Sequence, residues 1–435
     1  MREAAEGLYR TFSAAMDGLA PFEPSPRIAV GVSGGADSMA LALLAHGWVQ
    51  QRGGALLALI VDHRLRQESG AEAAEAAARL ADHGIEARIL PLEGLEYGSA
   101  MAERARQARF SVLVRACTVE GVLHLLLGHH AADQAETVLL RALGGSGPAG
   151  LAGIASLTEL PGVRILRPLL SVPPVSLRQY LRSAADVAWA EDPSNSDRSA
   201  SRPRLRMLRR DRDGTGPATR ALVAAARASG RQRADAEQRV ADELAEHASL
   251  WPEGFALFSG PISAAAFASL VQMVSGAEYP PASDAAARIA LSPKPATLSG
   301  VRLLRAGRLG SGWLLVREAA AMAVPIAAHA GAVWDQRFRL GANLIAPEGA
   351  TVGPLGDDTP RLRRFSHLPS AILRTLPAIR IASELLAVPH LGYPDRKTCE
   401  GMPVVFAPLR PAAAAPYRFG DACGARTPYV GEASC

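Results

Sequence analysis

The stretch VGVSGGADSMALALL, residues 30–44, interrupts a strand-like apolar run with Ser-Gly-Gly-Ala-Asp-Ser and then resumes with helical spacing. The apolar run at 27–32 follows Pro26 and predicts a buried strand. Apolar residues between 39 and 44 predict a helix that starts near Asp37. A strand that turns sharply into a helix is the repeating unit of a parallel sheet, so this stretch indicates an α/β fold.

The same alternation continues through the first half of the chain. It predicts a parallel, Rossmann-like sheet with helices on both faces. Ligands of such sheets bind beyond the carboxyl ends of the strands, so the polar residues that follow strands are candidate site residues. Further strands are predicted at 55–61, 86–92 and 122–128, and further helices at 69–83, 99–119 and 132–143.

The turn after the first strand has the composition of a phosphate-binding loop. Gly34 and Gly35 allow a close approach of the backbone to a ligand. Amides of the loop and of the first helical turn then point at one spot, where the helix dipole adds positive charge. Ser33 and Ser38 can donate hydroxyls to the same anion, and a magnesium ion would reconcile Asp37 with it. The alternative is a tight strand-to-helix turn in which Asp37 caps the helix.

Polar side chains also follow the second and fourth predicted strands. Asp62 and His63 come after the second strand and either face a bound nucleotide or form a turn. His129 and His130 come after the fourth strand and are expected to line the same crevice.

Two acids open the helix that follows the fourth strand. Asp133 and Glu136 are three residues apart and therefore share one helix face. They either bind a cationic substrate and accept a proton from it, or simply complement the helix dipole.

Length and composition narrow the class of protein. A chain of 435 residues predicts two or three domains: an α/β domain at 1–214, a mainly helical domain with a strand pair at 215–325, and a small mixed α/β domain at 330–435. Four cysteines without CxxC spacing imply neither a disulfide framework nor a zinc site. The sequence shows no secretory leader, and its longest apolar stretch is shorter than the roughly 20 residues that cross a bilayer. A soluble, cytoplasmic protein is therefore expected.

The motif SGGxDS after a first strand resembles the PP-loop, or N-type ATP pyrophosphatase, family. Five further segments narrow the resemblance to the tRNA(Ile)-lysidine synthetase family over roughly residues 28–210. They occur in the order DHRLRQES (62–69), ARQARF (105–110), LGHHAADQAETVLLRALGGSGPAGLAGI (127–154), RPLL (167–170) and WAEDPSNSD (189–197).

This resemblance implies an ATP-dependent ligase. Its reaction adenylates the C2 oxygen of the wobble cytidine in a tRNA(Ile) with a CAU anticodon, and L-lysine then displaces AMP to leave lysidine. The rivals are another PP-loop tRNA-modifying enzyme, such as a 2-thiolase, a small-molecule amidotransferase, and a catalytically inactive tRNA-binding homologue. Paired cysteines, which a thiolase would show, and a glutaminase domain are not seen, whereas Asp37, Asp133 and Glu136 are present. The family is often dimeric, so a homodimer is allowed.

The resemblance also gives roles to the candidate residues. Asp37 would hold Mg²⁺, Arg106 or Arg109 would approach the phosphates or the activated base, and Asp133 and Glu136 would bind lysine, with His129 nearby. The pyrophosphate and nucleotide would contact Ser33, Gly34, Gly35, Ala36, Ser38, Asp62 and His63.

An arginine-rich run, RSASRPRLRMLRRDR at 198–212, follows these motifs. By itself such a run is often a solvated surface. Beside the predicted crevice, Arg202, Arg204 and Arg206 are expected to contact the tRNA backbone, because guanidinium groups pair well with phosphates.

Overall fold

The computed structural model describes residues 2–64, 69–92, 101–185, 187–190, 211, 213–414 and 417–419. The arginine run at 198–210, including Arg202, Arg204 and Arg206, lies outside the described residues. Contacts divide the chain into two compact units, one of residues up to 234 together with 417–419, and one of residues 235–414. The predicted split of the second half at 325–330 stays a prediction.

A six-stranded sheet in the order β3-β2-β1-β4-β6-β5 forms the centre of the first unit. The pairs β1–β2, β2–β3, β1–β4 and β4–β6 are parallel, which confirms the predicted fold class. The hairpin of β5 and β6 at one edge was not predicted, because its strands have only four residues each. The strands are β1 (Arg27–Val32), β2 (Ala55–Asp62), β3 (Glu86–Pro91), β4 (His124–Leu127), β5 (Leu157–Leu160) and β6 (Val163–Leu166).

Helices cover both faces of this sheet. Ile28 and Val30 of β1 pack into an apolar cluster with the first, second and seventh helices, whereas Ala29 packs on the opposite face against the fourth. This alternation is the one expected for a strand buried on both sides. The helices are α1 (Arg2–Asp17), α2 (Ala36–Gln50), α3 (Ser69–Ala81), α4 (Met101–Val119), α5 (Ala131–Leu143), α6 (Pro148–Leu151), α7 (Pro174–Tyr180) and α8 (Pro217–His247), the last of which continues into the second unit.

The second unit contains three antiparallel sheets. A five-stranded sheet, β7-β8-β11-β10-β9, packs on two apolar helices, and its β10–β11 pair is the hairpin predicted at 301–318. Its elements are β7 (Ala248–Trp251), β8 (Phe255–Phe258), α9 (Ala264–Ser275), α10 (Ser283–Leu291), β9 (Ala296–Leu298), β10 (Val301–Arg305) and β11 (Trp313–Arg317).

Two smaller sheets follow, in the orders β12-β15-β16-β17 and β13-β14-β18. Trp334 and Phe338 stack in the core that they share. The elements are β12 (Ile326–Ala327), β13 (Val333–Trp334), β14 (Phe338–Leu340), β15 (Ala350–Pro354), α11 (Thr359–Leu362), α12 (Ser370–Leu373), β16 (Pro377–Ile381), β17 (Glu384–Ala387), α13 (Arg396–Gly401) and β18 (Val404–Phe406). Across the described part of the chain, no helix combines the length and apolarity needed to span a membrane.

A buried charge network in the second unit spans residues 317–337. The carboxylate of Asp335 lies 3.1 Å from Nε of Arg317 and 2.8 Å from Nη2 of Arg337. The Asp335 side chain is 2% exposed and that of Arg337 is fully buried. The amide of Ala323 also donates to Asp335, at 2.9 Å, so one carboxylate links β11, the segment after it and the β13–β14 turn.

Candidate active site

The loop between β1 and α2 has the backbone of a phosphate-binding turn. Gly34 has φ +79°, a conformation that side-chain-bearing residues rarely adopt. Gly35 is extended and precedes the first turn of α2, so the free amides of that turn face the loop. The carbonyl of Gly34 accepts a hydrogen bond from the amide of Ala190 at 2.9 Å, which brings the start of the WAEDPSNSD segment onto the loop.

Two hydroxyls fix the shape of this loop. Oγ of Ser38 accepts from the amide of Ser33 at 3.1 Å and donates to the carbonyl of Gly35 at 3.0 Å. Oγ of Ser33 lies 3.2 Å from the same hydroxyl. Ser38 is buried, so water competes little for these bonds, and they restrict the loop to one conformation. A preformed turn of this kind binds anions without a further ordering cost.

The end of β4 packs directly on the first turn of α2. A Cβ placed on Gly128 would lie 3.3 Å from the amide nitrogen of Ser38, so a side chain there would press on the turn. This close approach brings the residues that follow Gly128 beside Asp37, as expected for neighbouring strand ends of a parallel sheet.

His130 lies between two carboxylates from different strand ends. Its Nε2 is 3.3 Å from Oδ2 of Asp37, and its Nδ1 is 3.5 Å from Oδ2 of Asp133. The His130 side chain is 9% exposed, whereas that of Asp37 is 38% exposed. Asp37 and Asp133 therefore belong to one cluster, which His130 connects. His129 lies half-buried beside it.

The two acids of α5 sit in different surroundings. Asp133 accepts from the amide of His130 at 3.0 Å, so it serves as a helix cap as the dipole alternative predicts. Glu136, one turn further on, is fully buried. A capping bond occupies only part of the hydrogen-bonding capacity of a carboxylate, and a role of either acid in substrate binding stays a prediction.

Asp62 makes the turn that the sequence allowed as an alternative. Its Oδ1 accepts from Oγ of Ser69 at 2.6 Å and from the amide of Arg64 at 3.0 Å. The hydrogen bond from Ser69 is the main cause of the lowered pKa of Asp62. These contacts join β2 to α3, and a role of Asp62 or the half-buried His63 in nucleotide binding stays a prediction.

The predicted arginines of α4 differ in exposure: Arg106 is exposed and Arg109 is half-buried. The pKa of Arg167 is lowered to about 10, mainly by burial and in part by the nearby charge of Arg106. The structure thus places Arg106 close to the RPLL segment that Arg167 begins, and its role toward a substrate stays a prediction.

Two residues that sequence reasoning did not select hold the glycine run GGSGPAGLAG (144–153). The side-chain amide of Gln134 bonds both the backbone nitrogen and the carbonyl of Ile154, at 2.6 and 3.0 Å. Nη1 of Arg141 donates to the carbonyls of Gly150 and Gly153 at 2.8 and 2.7 Å. The run is therefore fastened to α5, the helix that carries Asp133 and Glu136. The signal in the sequence that could have indicated this contact was Gln134, a polar residue on the buried face of the helix.

Comparison with known proteins agrees with this geometry. The family model of the PP-loop domain matches residues 8–210. A curated relative from Ruegeria pomeroyi, described as tRNA(Ile)-lysidine synthase, is 31% identical over 87% of this chain and 92% of its own length. This chain belongs to the tRNA(Ile)-lysidine synthase family.

Two other members of the tRNA(Ile)-lysidine synthase family extend the comparison. The one from Mesorhizobium japonicum is 33% identical over 86% of each chain. The one from a Bradyrhizobium species is 44% identical, but over 43% of this chain and 53% of its own length. This chain thus spans about half the length of several curated relatives that it matches.

Proposed function

We propose that this protein makes lysidine in tRNA. It uses ATP to adenylate the C2 oxygen of the wobble cytidine of a tRNA(Ile) with a CAU anticodon, releases pyrophosphate, and lets lysine displace AMP. The observation that carries the proposal is the contact of Asp37 in the β1–α2 turn with Asp133 of α5 through His130, in a chain of this family. Lysine as co-substrate, a homodimer and a cytoplasmic location rest on the family resemblance alone.

The loop supplies the site for the triphosphate. Amides at the start of α2 and the helix dipole favour an anion at this loop, whereas the hydroxyls of Ser33 and Ser38 bond within the loop and fix its shape. Because these groups are already in place, they stabilise the charge that develops on the departing pyrophosphate without reorganising.

Asp37 is suited to a magnesium ion. Its Oδ1 is buried and has no hydrogen-bond partner among the described residues. Among the described residues, no three metal-binding side chains lie close together. This fits an ion that is held mainly by phosphates and water, as Mg²⁺ commonly is. When bound, Mg²⁺ would neutralise charge on the phosphates.

The acids of α5 supply the site for lysine in this proposal. The ε-ammonium group of lysine must lose a proton before its nitrogen can attack C2, and a nearby carboxylate can accept that proton. A buried carboxylate such as Glu136 attracts a cation more strongly than an exposed one, since water screens it less.

The cysteines of the first unit favour ligation over sulfur transfer. Cys117 is fully buried, and burial raises the pKa of its thiol to about 11. A thiol of that kind is a poor nucleophile. Cys399 lies in the second unit, whereas Cys423 and Cys435 are outside the described residues.

The proposed function is tested with the full chain, a tRNA(Ile) transcript carrying CAU, lysine and ATP labelled at the α-phosphate. Lysine-dependent release of AMP and a lysine-bearing cytidine in the digested tRNA are expected. A methionine tRNA with the same anticodon serves as the control substrate. An absence of lysine-dependent AMP with every tRNA(Ile) preparation would remove the proposal.

Alanine variants of two glycines with similar φ angles distinguish an effect on phosphate binding from an effect on backbone strain. Gly34 has φ +79° and Gly84 has φ +73°, and neither added Cβ would meet an atom closer than 3.6 Å. Each alanine variant should therefore lose about 1–2 kcal/mol of unfolding free energy. Only Gly34→Ala should also raise the KM for ATP, by about tenfold, because Gly34 lies in the turn that is proposed to bind the phosphates and Gly84 does not. Equal KM values for both variants and the wild type would contradict a phosphate site at Gly34.

The arginine run is tested by salt dependence. Replacing Arg202, Arg204 and Arg206 together with glutamine should weaken tRNA binding and reduce the slope of log Kd against log salt by about 2–3. The exposed Arg396, which pairs with Glu400, provides a control that also removes positive charge. Unchanged tRNA affinity at several salt concentrations would assign the run to solvated surface.

A further inference from the structure

The chain returns to the first unit after passing through the second. Tyr417, Arg418 and Phe419, here called the strap, lie on the first unit although residues 235–414 belong to the second. Tyr417 is 6% exposed. The composition around the strap is rich in alanine and proline, so the sequence offered no local signal for a docked segment.

Backbone and side-chain hydrogen bonds hold the strap in place. The carbonyl of Arg418 accepts from both the amide and the hydroxyl of Ser156, at 2.9 and 2.8 Å. Its guanidinium donates to the carbonyls of Gly18 and Ala20 just after α1, at 3.1 and 3.2 Å. The strap is thus bonded to two separate parts of the first unit.

Tyr417 reaches the end of the glycine run. Its hydroxyl lies 2.5 Å from the carbonyl of Ala152 and 3.0 Å from that of Ile154, and it donates to one of them at a time. The side chain of Gln134, which already bonds Ile154, is also hydrogen-bonded to the phenol. Gln134 is fully buried and lies between Asp133 and Glu136 along α5. A short chain of contacts therefore runs from the strap to the acids of α5.

A glycine on α8 makes room for the ring of Tyr417. A Cβ on Gly230 would lie 2.8 Å from Cε1 of Tyr417, closer than real contacts allow. Gly230 precedes by four residues the point at Ala234 where α8 passes into the second unit. The chain leaves the first unit four residues after Gly230 and re-enters it at Tyr417.

We propose that the strap positions α5 and the glycine run for the attack of lysine, with Tyr417 as the positioning residue. This inference rests on the proposed function. The hydroxyl of Tyr417 bonds carbonyls at the end of the glycine run that follows α5, whereas the predicted phosphate site follows β1. Its role should therefore concern the lysine step and not the adenylation step. Its hydroxyl acts through Ile154 and Gln134 on the first turn of α5, where Asp133 and Glu136 lie.

The test compares the two half-reactions in the full chain. Tyr417→Phe keeps the ring and removes the hydroxyl, and should raise the KM for lysine by about three- to tenfold. The KM for ATP and the rate of tRNA-dependent exchange of pyrophosphate into ATP should stay within about twofold of wild type. Gly230→Ala, which displaces the ring, should have the same selective effect. Tyr279→Phe is the matched control, because Tyr279 is 74% exposed.

A purely structural role would lower both half-reactions by the same factor, and that outcome would overturn the proposal. So would an unchanged KM for lysine in both Tyr417→Phe and Gly230→Ala. Hydrogen exchange gives a readout that needs no activity, since the amide of Ser156 donates to the strap itself. Tyr417→Ala should speed exchange at Ser156 and in residues 131–136.

This exchange measurement separates the two proposals. If the wild type shows no lysine-dependent AMP release, the proposed function fails while the exchange data still decide whether the strap positions α5. Faster exchange confined to 152–156, without any change at 131–136, would reject positioning in either case.

Discussion

Asp37→Ala is expected to lower the rate of adenylation by about a thousandfold or more while tRNA still binds with wild-type affinity. The carboxylate lies at the mouth of the first βα unit, and its Oδ1 has no hydrogen-bond partner among the described residues. Without it the phosphates would lose the cation that neutralises the leaving pyrophosphate, a loss of several kcal/mol in the transition state. Single-turnover formation of AMP and filter binding of tRNA at two salt concentrations measure the two effects separately.

Two variants make the interpretation of Asp37 specific. Asp37→Asn keeps the shape of the side chain and should lose nearly as much activity, because an amide is a weak ligand for Mg²⁺. Asp17→Ala removes an acid from the surface, where the side chain is 61% exposed, and should leave both measurements unchanged. If Asp37→Ala kept its rate within tenfold and lost only about 1 kcal/mol of stability, the residue would merely complement the dipole of α2, since it makes no capping hydrogen bond there.

The sheet of the first unit was predictable because its signals are local. Each of the first four strands is an apolar run closed by a turn residue, and each following helix repeats at 3.6 residues. The glycine turn between β1 and α2 was predictable for the same reason, since Gly34 and Gly35 indicate it without any distant contact. The β5–β6 hairpin carries no such pattern, because four residues are too few to show a period.

The residues of the candidate site that the sequence did not predict are placed by contacts between positions far apart in the chain. Gln134 meets Ile154 across twenty residues, and Tyr417 meets Ala152 across 265. No spacing rule connects such pairs. The sequence placed His129 and His130 at the crevice, and the role of His129 beside the substrate stays a prediction. The structure places His130 between Asp37 and Asp133. This contact joins two strand ends, so local sequence could not predict it.

The second unit shows a limit of another kind. The boundary predicted at 325–330, from short strand-like pieces between Pro- and Gly-containing loops, stays a prediction, whereas the sequence did not indicate any charge network. The structure places the Arg317–Asp335–Arg337 network on both sides of that point, with the three side chains at most 10% exposed. Asp335 also has φ +52°, a turn conformation that aspartate tolerates better than most residues. Burial of a charge across a turn cannot be deduced from local sequence, because the partner that neutralises it comes from another strand.

Asp335→Ala should destabilise the second unit by about 3–5 kcal/mol. It removes the one carboxylate that faces two guanidinium groups, and a buried, unpaired charge is far costlier than a missing pair. Burial already lowers the pKa of Arg337 to about 10, and the charge of Asp335 opposes that shift. Replacing both residues, as Asp335→Asn with Arg337→Met, should cost less than Asp335→Ala alone. No unpaired charge then remains at position 337, the amide oxygen can still accept from Arg317, and asparagine tolerates the positive φ. Asp357→Ala, at a fully exposed acid, is the control and should change stability by less than about 0.5 kcal/mol. Urea unfolding gives the free energies of unfolding of the three variants, and hydrogen exchange of peptides from 300–340 shows where stability is lost. A loss below 1 kcal/mol for Asp335→Ala would show that the network contributes little to this fold.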